Sequence, residues 1–272
     1  MKKKAFQEKY ARLATLAGRP TRLNQVELLV RPDKEYAELL FFGDLHFGHE
    51  QCDVKAAKEM LDWALENRVF VLLLGDLIEA GLRDSIGDSV YLQKFNPQKQ
   101  MESIVRLLTP LAKEKLIIGL HSGNHETRIS KATGIDIAKI MARLLSVRYL
   151  NYACWSLLTV GKQKYSMYSC HGKSGARFKH TKLKAAVDLT GWLKADIIAH
   201  AHVHSIAAEP AMYQDVDFRN RVVKSRKCYV VLTGSYLRWD RSYAQEANYP
   251  ITRIGSPKGM LWANEHNVHF SL

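Results

Sequence analysis

From Tyr36 onward the chain alternates short apolar runs with longer stretches in which apolar residues recur at helical spacing. Residues 37–42 (AELLFF), 69–74 (VFVLLL), 116–121 (LIIGLH), 165–169 (YSMYS) and 195–199 (ADIIA) are too short for helices and fit buried strands. The periodicity between them predicts helices over 53–67, 98–114, 134–146 and 176–193. Strand, loop and helix in that repeating order predict an α/β fold. Two later runs, 227–235 (KCYVVLTGS) and 259–270 (GMLWANEHNVHF), are strand-like and are expected to close a second sheet. Near the N-terminus, Phe6, Tyr10, Leu13 and Ala17 share a helical face, which predicts a helical extension over residues 1–35 packed on the body. No repeat, low-complexity tract or Pro/Gly/Ser-rich linker interrupts the chain, so residues 1–272 are expected to form one domain.

A polar tip follows each of five runs: GDLHFG (43–48), GDLIEA (75–80), SGNHET (122–127), HGKSG (171–175) and HAHVHS (200–205). In open α/β sheets ligands bind beyond the carboxyl ends of the strands, so Asp, Asn and His collected there mark a site. His200, His202 and His204 occupy alternate positions, which puts all three imidazoles on one face of an extended chain. A Gly-Asp pair past a strand is ordinarily a turn, and a histidine there is ordinarily surface polarity. Five loaded loops in series weigh against both readings.

The order DxH (Asp44, His46), GDxxE (Asp76, Glu79), GNHE (Asn124, His125, Glu126), a separate His171 and AHxH (His202, His204) resembles the calcineurin-like metallophosphoesterase superfamily over residues 37–235. Within it the pattern is closest to the DNA-repair exonuclease-like phosphodiesterases. Two positions depart from the family's pattern: Glu79 stands where an aspartate is usual, and Ala201 where a glycine is usual. The resemblance implies the metallo-dependent phosphatase fold, a four-layer α/β/β/α sandwich of two mixed sheets flanked by helices. It also implies two divalent metal ions, manganese favoured, with iron, zinc, cobalt or nickel as alternatives. The first metal would take Asp44, His46, Asp76 and His204, and the second Asp76, Asn124, His171 and His202. Because two neighbouring dications repel, the shared carboxylate of Asp76 belongs between them. A metal-activated hydroxide would attack phosphorus, with His125 as general acid, or stabiliser of the transition state, oriented by Glu126. Ala201 leaves His200 and His202 as an alternative ligand pair. The register of the preceding strand favours His202 and His204, with His200 left over.

Charge then narrows the partner. The net charge is +13, and residues 101–200 alone carry 16 Lys and Arg against 6 Asp and Glu. Such a one-signed excess favours a polyanion, nucleic acid ahead of anionic lipid. Candidate substrate contacts are Arg128, His49, Lys173 and Arg177, with Lys179 and His180 continuing a phosphate track. The competing readings are helix ion pairing for Arg128, support of the ligands from behind for His49, and a solvated helix face for Lys173, Arg177, Lys179 and His180. The basic run 218–227 (FRNRVVKSRK) is a clamp on a nucleic-acid strand or an exposed hairpin, and Tyr91 and Phe95 stack on a base or cap the core. The four cysteines form no CxxC pair, which excludes a zinc ribbon. The start MKKKAFQEKYARL lacks the apolar segment of a secretory signal, and no run reaches membrane length, so a cytoplasmic protein with no membrane partner is expected. The expected function is a nuclease-type phosphodiesterase on DNA or RNA. Its rivals are a small-molecule phosphatase acting on nucleotides or a lipid-linked pyrophosphate, and a catalytically silent nucleic-acid-binding module.

Overall fold

The apolar runs form the strands that their pattern predicts. The computed structural model describes residues 23–83, 89–240, 242, 245 and 248–272. In chain order the strands are β1 (Asn24–Glu27), β2 (Tyr36–Phe42), β3 (Phe70–Leu73), β4 (Ile117–Leu120), β5 (Ala153–Val160) and β6 (Gln163–Cys170). They continue with β7 (Ile197–His200), β8 (Ile206–Asp217), β9 (Val222–Thr233), β10 (Lys258–Trp262) and β11 (Val268–Ser271). The helices are α1 (Val54–Glu66), α2 (Ser89–Leu92), α3 (Pro97–Lys113), α4 (Asn124–Thr133), α5 (Ile137–Leu144) and α6 (Lys179–Val187), the last running into a 3₁₀ turn, Asp188–Gly191. Asp53, Asn96 and Asp136 start α1, α3 and α5 by accepting the backbone N–H groups of Ala56, Lys99 and Lys139.

One sheet has the order β1-β5-β6-β7-β9-β8 and the other β11-β10-β2-β3-β4. Both are mixed. β2, β3 and β4 run parallel in one sheet, and β6, β7 and β9 run parallel in the other, so their C-terminal ends gather at shared edges. Tyr165, Met167, Ile197, Ala199 and Val231 point from the six-stranded sheet into the core shared with Phe41 and Phe270 of the five-stranded sheet. Tyr229 meets Phe270 at 5.2 Å between ring centroids, and the Tyr165 hydroxyl donates to the Trp262 carbonyl at 2.7 Å. The alternate residues Ile198, Val230 and Leu232 face outward against Ala186 and Leu183 of α6. Buried residues of α1, α3 and α5, among them Leu61, Leu108 and Met141, belong to the same core as the five-stranded sheet. Four layers result, each apolar face covered by the next.

Some details differ from the pattern. Residues 1–22, including the face of Phe6, Tyr10, Leu13 and Ala17, lie outside the described residues. Asn24–Glu27, the next stretch of the expected helical extension, is instead an edge strand parallel to β5. The run at 227–235 joins the six-stranded sheet as β9, whereas 259–270 supplies β10 and β11 of the other. The predicted helix over 134–146 narrows to α5, and that over 176–193 to α6 with its 3₁₀ turn. No helix among the described residues is long and apolar enough to cross a membrane. All four cysteines are free thiols.

Candidate metal centre

Every candidate ligand sits just past a strand's C-terminal end or at the start of α4. After β2, the Asp44 N–H donates to the Gly75 carbonyl at 3.1 Å and the His46 N–H to the Asp76 carbonyl at 2.9 Å, so the first two loops remain laddered beyond the strands. Five of the seven ligand positions adopt left-handed backbone: Asp44 (φ 49°), His46 (53°), Asp76 (48°), His202 (68°) and His204 (48°). That region disfavours most side chains and is most often filled by Asn, Asp and His. Gly75 also has positive φ, 84°, and a Cβ there would lie 2.5 Å from the Gly123 nitrogen. A Cβ on Gly123 would lie 2.1 Å from Asp76 Oδ1. These two glycines let the second and third loops touch, which aims Asp76 and Asn124 at one place. Ala201 has no positive φ, so the alanine imposes no strain.

Two triads form. Asp44, His46 and His204 bring their ligand atoms within 4.8 Å of one another, and so do Asp76, His171 and His202. His46 Nε2 lies 3.0 Å from His204 Nε2, and His204 Nε2 lies 3.5 Å from Asp44 Oδ1. In the second triad His171 Nε2 lies 3.2 Å from Asp76 Oδ2 and 2.9 Å from Asn124 Oδ1. Asp76 Oδ1 meanwhile accepts the His125 N–H at 2.8 Å. His200 joins neither triad. It is buried, its Nδ1 donates to the Ala201 carbonyl at 2.8 Å, and its ring fills the space a Cβ on Gly172 would need.

The donors fit divalent cations. A carbonyl only accepts, so His171 Nδ1, 2.8 Å from the Leu74 carbonyl, carries the ring's proton. Its Nε2 lone pair then faces Asn124 Oδ1 and Asp76 Oδ2, acceptors that repel it unless a proton or a cation stands among them. His46 repeats the pattern, with Nδ1 on the Glu79 carboxylate at 3.0 Å and Nε2 facing a second imidazole. Such partners on the outer nitrogen hold metal-binding histidines in the right tautomer. Asp44 Oδ2 accepts the His202 N–H at 2.9 Å, but its buried Oδ1 has no hydrogen-bond partner among the described residues. Oxygen and nitrogen donors without thiolate suit Mn, Fe, Zn, Co or Ni.

The pocket's charges follow. Burial lowers the His171 imidazole, yet Asp76, Asp44 and the Leu74 carbonyl together push it up to about 10. Burial likewise raises Asp76, but His171 and His125 hold it well below the usual carboxylate range. Asp44 and Glu79 are lowered against their burial, drawn chiefly by His204 and His46 respectively. A proton on His171 thus compensates a carboxylate-rich pocket where a cation's charge would otherwise do so. His125 goes the other way: burial, only partly offset by Asp76, holds it at about 4.

His125 and Arg128 are brought to the same place. His125 Nδ1 donates to the Glu79 carbonyl at 2.7 Å, and its Nε2 lies 3.8 Å from Asp76 Oδ2. Arg128 Nη2 donates to that Nε2 at 3.0 Å, and Nη1 lies 3.6 Å from Glu79 Oε1. Glu126 does something other than orient the imidazole. Its carboxylate accepts the N–H groups of Asp76, Leu77, Ile78 and Gly123, fixing the loop that carries Asp76. His49 turns inward, only 6% exposed, and its Nδ1 accepts the Gln51 N–H at 3.0 Å, so it shapes a loop and is no surface contact. Lys173 and Arg177 are exposed just after His171, with Arg177 over the Tyr249 ring at 5.4 Å. The sequence reading missed Lys182 of α6, a buried cation over the same ring at 5.7 Å, because nothing in its helix pattern marks it as inward-facing. The basic run 218–227 starts at the tip of the β8–β9 hairpin, separated from His204 by the 12 residues of β8, about 40 Å of strand, and returns along β9 only as far as Lys227 opposite Met212. The structure does not bring it to the triads.

The family model of the calcineurin-like phosphoesterases matches residues 37–234, and the chain belongs to that family. Its members hydrolyse phosphoester bonds and use divalent metals. Among solved structures, the chain is similar to the phosphoesterase Yfce from E. coli, at 16% identity and TM-score 0.41, covering 86% of this chain and 98% of that one. It is also similar to Vacuolar Protein Sorting 29 from Cryptosporidium parvum, at 13% identity and TM-score 0.40, covering 88% and 98% respectively. A metallophosphoesterase from Sphaerobacter thermophilus matches at 15% identity and TM-score 0.37, covering 86% and 87%. None of the curated proteins matches.

Proposed function

We propose that the chain is a two-metal phosphodiesterase whose substrate is DNA or RNA, of the nuclease type suggested by its resemblance to repair exonucleases. The observation that carries the reaction is the pair of His/Asp triads, Asp44, His46 and His204 in one and Asp76, His171 and His202 in the other. Net charge of +13, with exposed Lys173, Arg177 and Lys179 close behind His171, supports a polyanionic substrate. Asp44, His46, Asp76 and His204 would hold one ion, and Asp76, Asn124, His171 and His202 the other. Divalent ions so held supply Lewis-acid polarisation of a phosphoryl oxygen and acidify water.

The chain's own residues do the rest. Glu79 fixes the His46 ring and, through its carbonyl, the His125 ring. With Nδ1 donating to that carbonyl, Nε2 carries the lone pair of a neutral ring, so His125 must first take up a proton at Nε2 before it can give one to the leaving oxygen. Arg128 covers Nε2. A phosphate is a stronger partner for a guanidinium than a neutral imidazole is, so substrate draws Arg128 off Nε2 and onto its own oxygens. The test is incubation with Mn²⁺ and end-labelled single- and double-stranded DNA and RNA. Metal-dependent cleavage is expected. Intact strands beside rapid hydrolysis of a mononucleotide would replace nucleic acid with a small substrate, and strands bound but uncut under every metal would make the protein a binding module.

A further inference from the structure

Building on the nucleic-acid reading above, we propose that Phe95, stacked on Phe47 and flanked in sequence by Tyr91, is a platform for a nucleobase of the substrate. The Phe47 and Phe95 rings are 7° from parallel with centroids 6.1 Å apart. Phe47 directly follows His46 of the first triad. Its backbone is pinned within the site, its N–H on the Leu77 carbonyl at 3.0 Å and its carbonyl accepting the Glu79 N–H at 2.9 Å. Phe95 is therefore the outer member of an aromatic pair rooted beside the candidate phosphoester centre.

Phe95 is also held there from its own side. Gln100, fully buried, donates through Nε2 to the Phe95 carbonyl at 2.6 Å and accepts the Ala80 N–H at 2.9 Å, one residue past Glu79. The Lys94 N–H donates to the Gly48 carbonyl at 2.8 Å, tying the neighbouring residue to the loop of His46. Two independent tethers to the two ligand loops give the ring a set position relative to the triads. Capping the core does not account for these side chains, because Phe95 is 45% and Tyr91 86% exposed. A flat ring with an open face, fixed next to a phosphate site on a basic protein, suits a base, since every base has a π face. The same chemistry serves a base in a strand or in a free nucleotide.

The experiment is a substrate–variant cycle. Wild type and Phe95→Ala are compared in kcat/KM on a thymidine oligonucleotide and on the same backbone carrying abasic tetrahydrofuran residues, with Mn²⁺ throughout. Removing the base is expected to cost wild type about tenfold, Phe95→Ala to cost about the same on the base-bearing strand, and the two losses not to add. Additive losses, or wild-type rates for Phe95→Ala on the base-bearing strand, overturn the platform while leaving the nuclease reading intact. Phe95→Trp provides a readout without turnover: its added fluorescence should be quenched by the oligonucleotide, and an unquenched tryptophan counts against the platform. If wild type cuts no strand but thymidine monophosphate still quenches Phe95→Trp, the platform stands, the nuclease reading falls, and the base comes from a free nucleotide.

Discussion

The Nε2 atoms of His46 and His204 face each other at 3.0 Å across 158 residues of sequence, while His46 holds the Glu79 carboxylate with its other nitrogen at 3.0 Å. Glu79 thereby sets which imidazole nitrogen is presented to a cation. Glu79→Ala should weaken Mn²⁺ binding by about 10- to 100-fold, measured by isothermal titration, with Glu79→Gln less affected because an amide oxygen can still accept from Nδ1. An unchanged affinity in Glu79→Ala would show that the ring needs no such partner. Chelation with EDTA should correspondingly lower the melting temperature of wild type, and added Mn²⁺ should restore it.

Asp76 and His125 meet through a backbone hydrogen bond of 2.8 Å yet are assigned different tasks. Asp76→Asn removes the carboxylate of the second triad, the group proposed to serve both ions, so metal content by elemental analysis should fall below two ions per chain. His125→Ala should keep both ions and lose on the order of 10²- to 10⁴-fold in kcat. A His125→Ala enzyme that turns over normally would remove the general-acid role.

Glu126 is buried and accepts four backbone N–H groups from two loops. Deleting that carboxylate in Glu126→Ala leaves those donors without partners in a site closed to water. Urea denaturation should show a loss of roughly 3 kcal/mol or more. A midpoint equal to that of wild type would mean the loops hold without it.

His121 predicts a pH dependence. Its Nδ1 donates to the Asn151 carbonyl at 3.0 Å and its Nε2 lies 2.8 Å from the Ser169 hydroxyl, which can donate to the lone pair of the neutral ring. Burial is the chief cause that holds it at about 4, below the ordinary 6.5 that it regains on unfolding. Its contribution is complete above pH 6.5 and is lost as pH falls toward 4, because the unfolded chain binds the proton first. The loss amounts to roughly 3 kcal/mol. His121→Gln should be less stable at pH 7 but flatter between pH 6.5 and 4, and a parallel pair of stability curves would contradict this.

The five ligand-bearing loops are legible in the sequence because each ends a run of buried strand residues, and the run and the tip announce one another. The elements that escape the pattern have weaker apolar signals. Polar side chains fill α4, where Glu126 and Ile129 are the buried ones, so no stripe marks it as a helix. β8 is an edge strand carrying Glu209, Pro210, Asp215 and Asp217, and it reads as a loop. Within the site, residue types are readable but second partners are not. That Glu126 clamps the Asp76 loop depends on two loops meeting through Gly75 and Gly123, and that His49 turns inward depends on a local hydrogen bond. Gln100 carries no chemical signal at all until the chain places it between Ala80 and Phe95.

The left-handed backbone at Asp44, His46, Asp76, His202 and His204 bears on how such a scaffold can change over evolutionary time. Torsional preference and coordination chemistry select the same short side chains there, so branched aliphatic replacements are excluded by the backbone before any cation is considered. Glycine satisfies the torsion while offering no side-chain donor. A lineage could discard its ions through such exchanges and still fold, which leaves hydrolysis separable from architecture by a handful of substitutions.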